Sequence, residues 1–290
     1  MQFLYMLQEI RNPVLNIVFK LFTFMGEEYF IMLIFCWLAW CKDKRFAHRT
    51  GFAFCLGMGV NQVLKLIFCV QRPWILDSRI KPHPYAVEGA TGYSFPSGHT
   101  QSSITVFGSL AMRFKNTVFR ILCIFCAVMT GISRMYFGVH TPVDVFTSFL
   151  IGIAVIFVSG ALYNLCEKHD TAALVLGVAV SLAMVAFALL KPYPPYHSAE
   201  YAYDCVKIAG AICGFITGWF LERRFVGYET DGTVRRGIFK TAVGIIILVI
   251  LKIAFKNLFE QTYFIMYIQN FMLILWCIFL YPLLLKKSGV

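Results

Sequence analysis

The sequence predicts an all-α fold, a polytopic membrane helical bundle of about nine spans. Three observations carry this. Of 290 residues, 59% are hydrophobic and only 14% charged, with 29 phenylalanines and a mean hydropathy of +0.71. A soluble domain of this length has no interior large enough for so much apolar surface. The apolar residues come in repeated runs near bilayer-crossing length, and in lipid such runs are helices, which satisfy their own backbone polar groups. The basic residues behind the net charge of +11 gather in short connections between the runs. That distribution marks cytoplasmic loops of a membrane protein, and nucleic acid is not an expected partner.

Residues 1–27 are mildly amphipathic, with Phe, Leu and Met set against Gln8, Glu9, Arg11 and Lys20. They are expected to form an interfacial segment. Arg11 and Lys20 also break any clean apolar core there, so a cleavable signal peptide is not expected. Apolar spans follow at about 28–41, 50–70, 99–114, 118–136, 141–164, 172–190, 204–221, 238–257 and 263–285. All the polar clusters described below fall within 28–170, and 171–290 supplies additional C-terminal spans. The ten cysteines lie mostly inside apolar runs, where they act as small hydrophobes. Cys123 and Cys126 form a C-x-x-C on a predicted span, but no second pair or nearby His accompanies them. That favours helix packing over metal or redox chemistry.

Orientation follows from the loops. Lys42, Lys44, Arg45 and Arg49 follow the first span, and Arg113, Lys115 and Arg120 the third. Arg223, Arg224, Arg235, Arg236 and Lys240 follow the seventh, and Lys286 and Lys287 follow the last. In a nine-span alternation these clusters share one side, which the positive-inside rule makes cytoplasmic. The C-terminus is then inside. The 71–98 loop, the 135–140 turn and the 191–203 loop (Tyr193, Tyr196, His197) share the opposite face. The 222–237 segment, with Gly227, Asp231 and Gly232, is expected to be a flexible cytoplasmic linker.

Three polar clusters interrupt the apolar background. The first is Lys65 with Arg72-Pro73; on one continuous helix these cations share a face, and Pro73 ends the helix at Arg72. Arg offers a planar fork for phosphate oxygens and Lys a point charge, although two such residues alone also read as interface anchors. The second is Tyr93-Ser94-Phe95-Pro96-Ser97-Gly98-His99, a loop running into a helix with Ser97 as N-cap. The free N–H groups of that helix end suit an anion, Gly98 permits close approach, and His99 stands at the rim to move a proton. A Pro-Ser-Gly turn with a structural His is the plainer alternative. The third is Ser133-Arg134, His140 and Asp144. Thr141-Pro142-Val143-Asp144 looks like a helix start, so Asp144 serves either that terminus or one ring nitrogen of His140.

The joint pattern Lys65-x6-Arg72-Pro73, Pro96-Ser97-Gly98-His99, Ser133-Arg134-x5-His140-x3-Asp144 closely resembles the type 2 phosphatidic acid phosphatase superfamily. The resemblance spans about residues 60–145. It implies a six-helix core, a lipid phosphate phosphatase activity, and a metal-independent phosphohistidine mechanism. By the same resemblance His140 is the nucleophile, Asp144 orients it, and His99 protonates the leaving oxygen and later activates water. Lys65, Arg72, Ser97, Gly98 and Arg134 bind the phosphoryl oxygens, and no metal or cofactor is implied. Candidate substrates are phosphatidic acid, phosphatidylglycerophosphate, isoprenoid diphosphates and sphingoid phosphates, presented by membrane lipids on the non-cytoplasmic face. The extra C-terminal spans also resemble the glucose-6-phosphatase branch, which keeps a sugar phosphate open. A lipid phosphotransferase shares the same chemistry. A lipid transporter is the non-enzyme alternative, and no paired, Gly/Pro-broken apolar segments support it.

Overall fold

The computed structural model describes residues 1–196, 198–230 and 234–288. His197, Asp231 and Gly232 lie outside the described residues. All nine predicted spans are helical. The chain runs α1 (Gln2–Glu9), α2 (Pro13–Met25), α3 (Glu28–Cys41), α4 (Lys44–Phe68), α5 (Pro73–Leu76), α6 (Pro84–Glu88), α7 (Gly98–Arg113), α8 (Thr117–Tyr136), α9 (Pro142–Lys168), α10 (Asp170–Leu190), α11 (Tyr203–Leu221), α12 (Val234–Leu258), α13 (Tyr263–Leu275) and α14 (Tyr281–Ser288).

Among the described residues, seven helical stretches are long and apolar enough to cross a membrane, and α2 with α3 reaches that length only as a pair bent by 50°. The remaining predicted span is α7, whose 16 residues lie just under the usual length of a spanning helix. Its composition also sets it apart. Thr100, Gln101, Ser102, Ser103, Thr105 and Ser109 are buried along it, so it turns a hydroxyl-rich face to the protein instead of presenting apolar side chains all round.

The chain forms two compact units. One comprises 1–31, 60–158 and 192–204, and the other 32–59, 159–191 and 205–290. In the first, α7, α8 and α9 pack through small residues. A Cβ added at Gly131 of α8 would come within 2.8 Å of Val145 Cγ1 and 3.0 Å of Phe149 on α9, and Gly152 of α9 abuts Ile104 of α7. Between lipid-bathed helices, where burial from water supplies no drive, such close approach provides the packing energy. The second unit uses the same device. Gly210 and Gly214 of α11 stand against the backbone of Tyr267 and Phe271 on α13.

Two expectations need correction. The helix does not run on to Arg72. It stops at Phe68, where Cys69 takes a left-handed φ of 48° and its N–H closes on Lys65 O at 3.0 Å. Arg72 instead caps the N-terminus of α5, with Pro73 as its first residue, a position that suits proline's missing donor. The described part of the predicted linker is also tied down. Glu222, fully buried, accepts from Lys44 Nζ at 2.8 Å and from Tyr228 N–H at 2.8 Å.

Candidate active site

Every sequence-predicted site residue falls in the first unit. Lys65, Arg72, Ser97, Arg134, His140 and Asp144 are all buried, and Gly98 and His99 open the first turn of α7. Three local structures hold them. The reversal after Cys69 carries Arg72 back over the bundle. Ser97, with extended backbone, is the N-cap of α7; its hydroxyl accepts from Thr100 Oγ1 at 2.9 Å, and its N–H meets Asp144 O at 3.3 Å. The turn after α8, with Gly138 at φ 73°, a backbone state open to glycine, sets His140 just before α9.

Asp144 fills both roles that the sequence left open. Its Oδ2 accepts Thr141 N–H at 2.8 Å while Thr141 Oγ1 accepts the Asp144 N–H at 3.3 Å, a reciprocal cap on α9. The same Oδ2 accepts Ser94 Oγ at 2.6 Å and lies 3.4 Å from His140 Nδ1. That last distance is within ion-pair reach, but Nδ1 makes no well-formed hydrogen bond. Looseness of this order is common in ligand-free sites.

The other ring nitrogen is engaged more tightly. Arg72 Nη1 stands 3.0 Å from His140 Nε2. A guanidinium only donates, so Nε2 presents its lone pair and the ring proton belongs on Nδ1, toward Asp144. Burial, and next the charge of Arg72, push the His140 pKa well below the ordinary imidazole value, against the opposing pull of Asp144. The ring is therefore neutral at neutral pH.

The three cations are not equivalent. Arg72 also donates to Val139 O at 3.1 Å, Gly92 O at 3.1 Å and Thr91 O at 2.6 Å. Lys65 Nζ donates to Tyr93 O. Both therefore pin the 91–93 backbone. Arg134 differs: its Nε and Nη2 are buried with no acceptor. Buried guanidinium donors are costly to leave unmade, and a phosphoryl oxygen is the acceptor their chemistry fits. His99 lies within electrostatic reach of both Arg134 and His140. Its ring has no hydrogen-bond partner among the described residues, which leaves it free to pass a proton. Two glycines frame it. A Cβ at Gly26 would lie 3.0 Å from His99 O and 3.2 Å from its Cβ, and one at Gly89 would lie 3.7 Å from the ring.

Sequence reasoning missed several contributors. Ser94 sat inside the quoted motif without a role, yet it donates to the carboxylate of Asp144. The carbonyls of Thr91, Gly92 and Val139 act through the backbone, which side-chain identity does not encode. The N-terminal segment clamps the 71–98 loop: Gln8 Oε1 accepts Lys81 N–H at 2.7 Å, Tyr5 bonds Asp77, and Arg11 Nη1 donates to Lys81 O. The 192–204 segment adds Tyr196 Oη on Cys69 O at 3.1 Å and the Tyr201 ring against Tyr93 at 4.8 Å.

Fold and site together define a polytopic membrane protein with a buried cluster of His140, Asp144, Arg72 and Arg134. The model of the PAP2 superfamily matches residues 46–168, and that of the PAP2 superfamily phosphatase, transmembrane extension, matches residues 206–290. Similar proteins include undecaprenyl-diphosphatase BcrC of Bacillus subtilis, 29% identical over 50% of this chain and 74% of that one. Phosphatidylglycerophosphatase B of the same organism is 28% identical over 51% and 75%. Sphingosine-1-phosphate phosphatase 2 of Mus musculus is 25% identical over 74% and 61%. Among solved structures, Aquifex aeolicus LpxE aligns with 28% identity and a TM-score of 0.47, over 55% of this chain and 92% of that one. The chain belongs to the PAP2 superfamily of phosphatases.

Proposed function

We propose that the chain hydrolyses a lipid phosphate or diphosphate through a phosphohistidine intermediate, on the non-cytoplasmic face of its membrane. The observation that carries the reading is the neutral His140 ring, with Nε2 as acceptor beside Arg72 and Nδ1 beside Asp144, next to the unpaired donors of Arg134. Nε2 attacks phosphorus as the bond to the leaving oxygen breaks, and His99 gives that oxygen its proton. His99 then takes a proton from water, whose oxygen attacks phosphorus and breaks the P–N bond, releasing phosphate and free His140. Charge that builds on the equatorial oxygens meets Arg134, Arg72, Lys65 and the N–H groups that open α7. Sidedness rests on connectivity. The 69–97, 137–141 and 191–202 connections alternate along the chain with the helix ends that carry Arg45, Arg113 and Arg223, the positive-inside pattern.

The direct test is transfer of radiolabelled phosphate from a lipid phosphate to the purified protein. An acid-labile phosphoprotein that disappears in His140→Ala supports the reading; full turnover by that variant overturns it. For sidedness, Ser78→Cys should gain labelling by an impermeant maleimide from the non-cytoplasmic side, and labelling only from the cytoplasm would refute the assignment.

A further inference from the structure

One carboxylate borders the site without serving the reaction just described. Glu27 follows Gly26 at the bend between α2 and α3, where Gly26 packs on His99. It accepts a hydrogen bond from Tyr85 Oη at 3.1 Å. Among the described residues this is its only side-chain hydrogen bond, and it forms no ion pair. Tyr85 lies on α6, which ends at Gly89 over the His99 ring. Lys20 Nζ sits on the face of the Tyr85 ring, 5.0 Å from its centroid, and leaves the carboxylate unpaired. Glu27 and Tyr85 are both within electrostatic reach of Arg134, the guanidinium whose Nε and Nη2 lack acceptors. Unmade donors and a largely unused carboxylate thus lie within electrostatic reach of one another. An ionised carboxylate offers about four acceptor sites, and one of them is used.

We propose that Glu27 and Tyr85 form an ammonium subsite beside the phosphate site. The favoured substrate is then a lipid phosphomonoester with a free primary amine on the carbon next to the phosphorylated one, as in a sphingoid-base phosphate. The inference rests on the phosphatase reading above. The phosphate takes the donors of Arg134, the ammonium donates to Glu27, and the Tyr85 hydroxyl fixes the carboxylate's rotamer. A charge-assisted bond of this kind is among the stronger polar contacts available. A bare alkyl phosphate leaves the carboxylate unmatched.

The test compares kcat/KM in detergent for sphinganine 1-phosphate, octadecyl phosphate and phosphoethanolamine. The wild type should favour the amino lipid over octadecyl phosphate by roughly ten- to a hundredfold, the range of hydrogen bonds to charged groups. In Glu27→Gln that ratio should collapse by about tenfold, and in Tyr85→Phe by less. Both substrates are read on one sample, so partial misfolding cancels from the ratio. An unchanged ratio in Glu27→Gln overturns the subsite, as does a wild type with no preference. Phosphoethanolamine, which has the same amine and no chain, should be a poor substrate; equal turnover would overturn the lipid assignment. A wild type that hydrolyses none of the three, nor any isoprenoid diphosphate, sinks the phosphatase reading itself, an outcome distinct from a lost ratio.

Discussion

Arg72 donates to Nε2 of His140 across 3.0 Å, so the atom proposed to attack phosphorus is held as an acceptor before substrate arrives. The contact fixes the tautomer, because a guanidinium has no lone pair to offer. In the proposed mechanism an incoming phosphate, a stronger acceptor than a neutral imidazole, competes with Nε2 for this guanidinium, and a fork can serve both acceptors where a point charge cannot. Arg72→Lys should lower kcat/KM by about a hundredfold or more, since a fork serving several acceptors is replaced by a single ammonium. Near-normal turnover by this variant, measured with any accepted lipid phosphate, would remove the role.

The same contact sets a pH dependence. Burial first and Arg72 second push the His140 pKa well below its usual value of about 6.5. Attack needs the neutral ring. The acid limb of kcat/KM should therefore lie well below the ordinary histidine range, with activity retained at mildly acidic pH and lost only as the ring protonates. Arg72→Gln removes one of the three downward pushes and leaves burial and the smaller effect of Lys65, so its acid limb should move up. A limb that stays put, or moves down, in a pH–rate profile would contradict the assignment to His140.

His140 and His99 should separate kinetically. His140→Ala should form no phosphoprotein. His99→Ala should lose about a hundredfold to ten-thousandfold, the usual weight of a positioned proton donor, and retain phosphoprotein when the leaving group is p-nitrophenolate, which departs without protonation. Slow water attack then leaves the intermediate to accumulate in a quench experiment. Addition of EDTA should not alter either result.

Asp144 couples stability to catalysis. Its Oδ2 caps α9 through Thr141 N–H and accepts Ser94 Oγ while facing His140 Nδ1. Asp144→Ala should lose the carboxylate's half of the reciprocal cap, about 1 kcal/mol, as well as activity. Asp144→Asn retains an oxygen for the cap and should cost less stability, yet activity should still fall, because a neutral amide stabilises the developing imidazolium less. Thermal unfolding beside kcat separates the two. Ser94→Ala should lower activity modestly through the carboxylate alone.

Much of this was legible in the sequence, and the rest was hidden for physical reasons. Hydropathy located all nine helical segments because lipid demands apolar runs of set length. The spacing in Pro96-Ser97-Gly98-His99 and Thr141-Pro142-Val143-Asp144 gave both helix starts, since caps are local chemistry. The break at Cys69 was not legible, because a non-glycine residue at positive φ leaves no signature of its own. Glu27 was missed because its place depends on a bend packed against a helix more than seventy residues away along the chain. Arg72's grip on three carbonyls could not be foreseen, since every residue carries the same carbonyl.

That bend supplies the last prediction. Gly26 meets Thr130 Cγ2 at 2.6 Å from where a Cβ would stand, with His99 O at 3.0 Å and His99 Cβ at 3.2 Å. Alanine at this position is therefore too large for the gap. Two neighbours can give way: the Thr130 methyl, or the first turn of α7 that carries His99. Thr130 is constrained by its hydroxyl, which donates toward Phe22 O at 3.0 Å and Cys126 O at 2.8 Å and accepts from Ser103 Oγ at 3.1 Å. Strain in Gly26→Ala should thus reach His99 and lower kcat, beyond the roughly 1–3 kcal/mol of stability typical of overpacking. Thr130→Ser deletes the offending methyl and keeps the hydroxyl bonds. In Gly26→Ala/Thr130→Ser the tightest contact is gone, so kcat should recover by several-fold relative to Gly26→Ala alone. Additive losses in that double-mutant cycle would show that the Thr130 methyl is not the contact that transmits the strain.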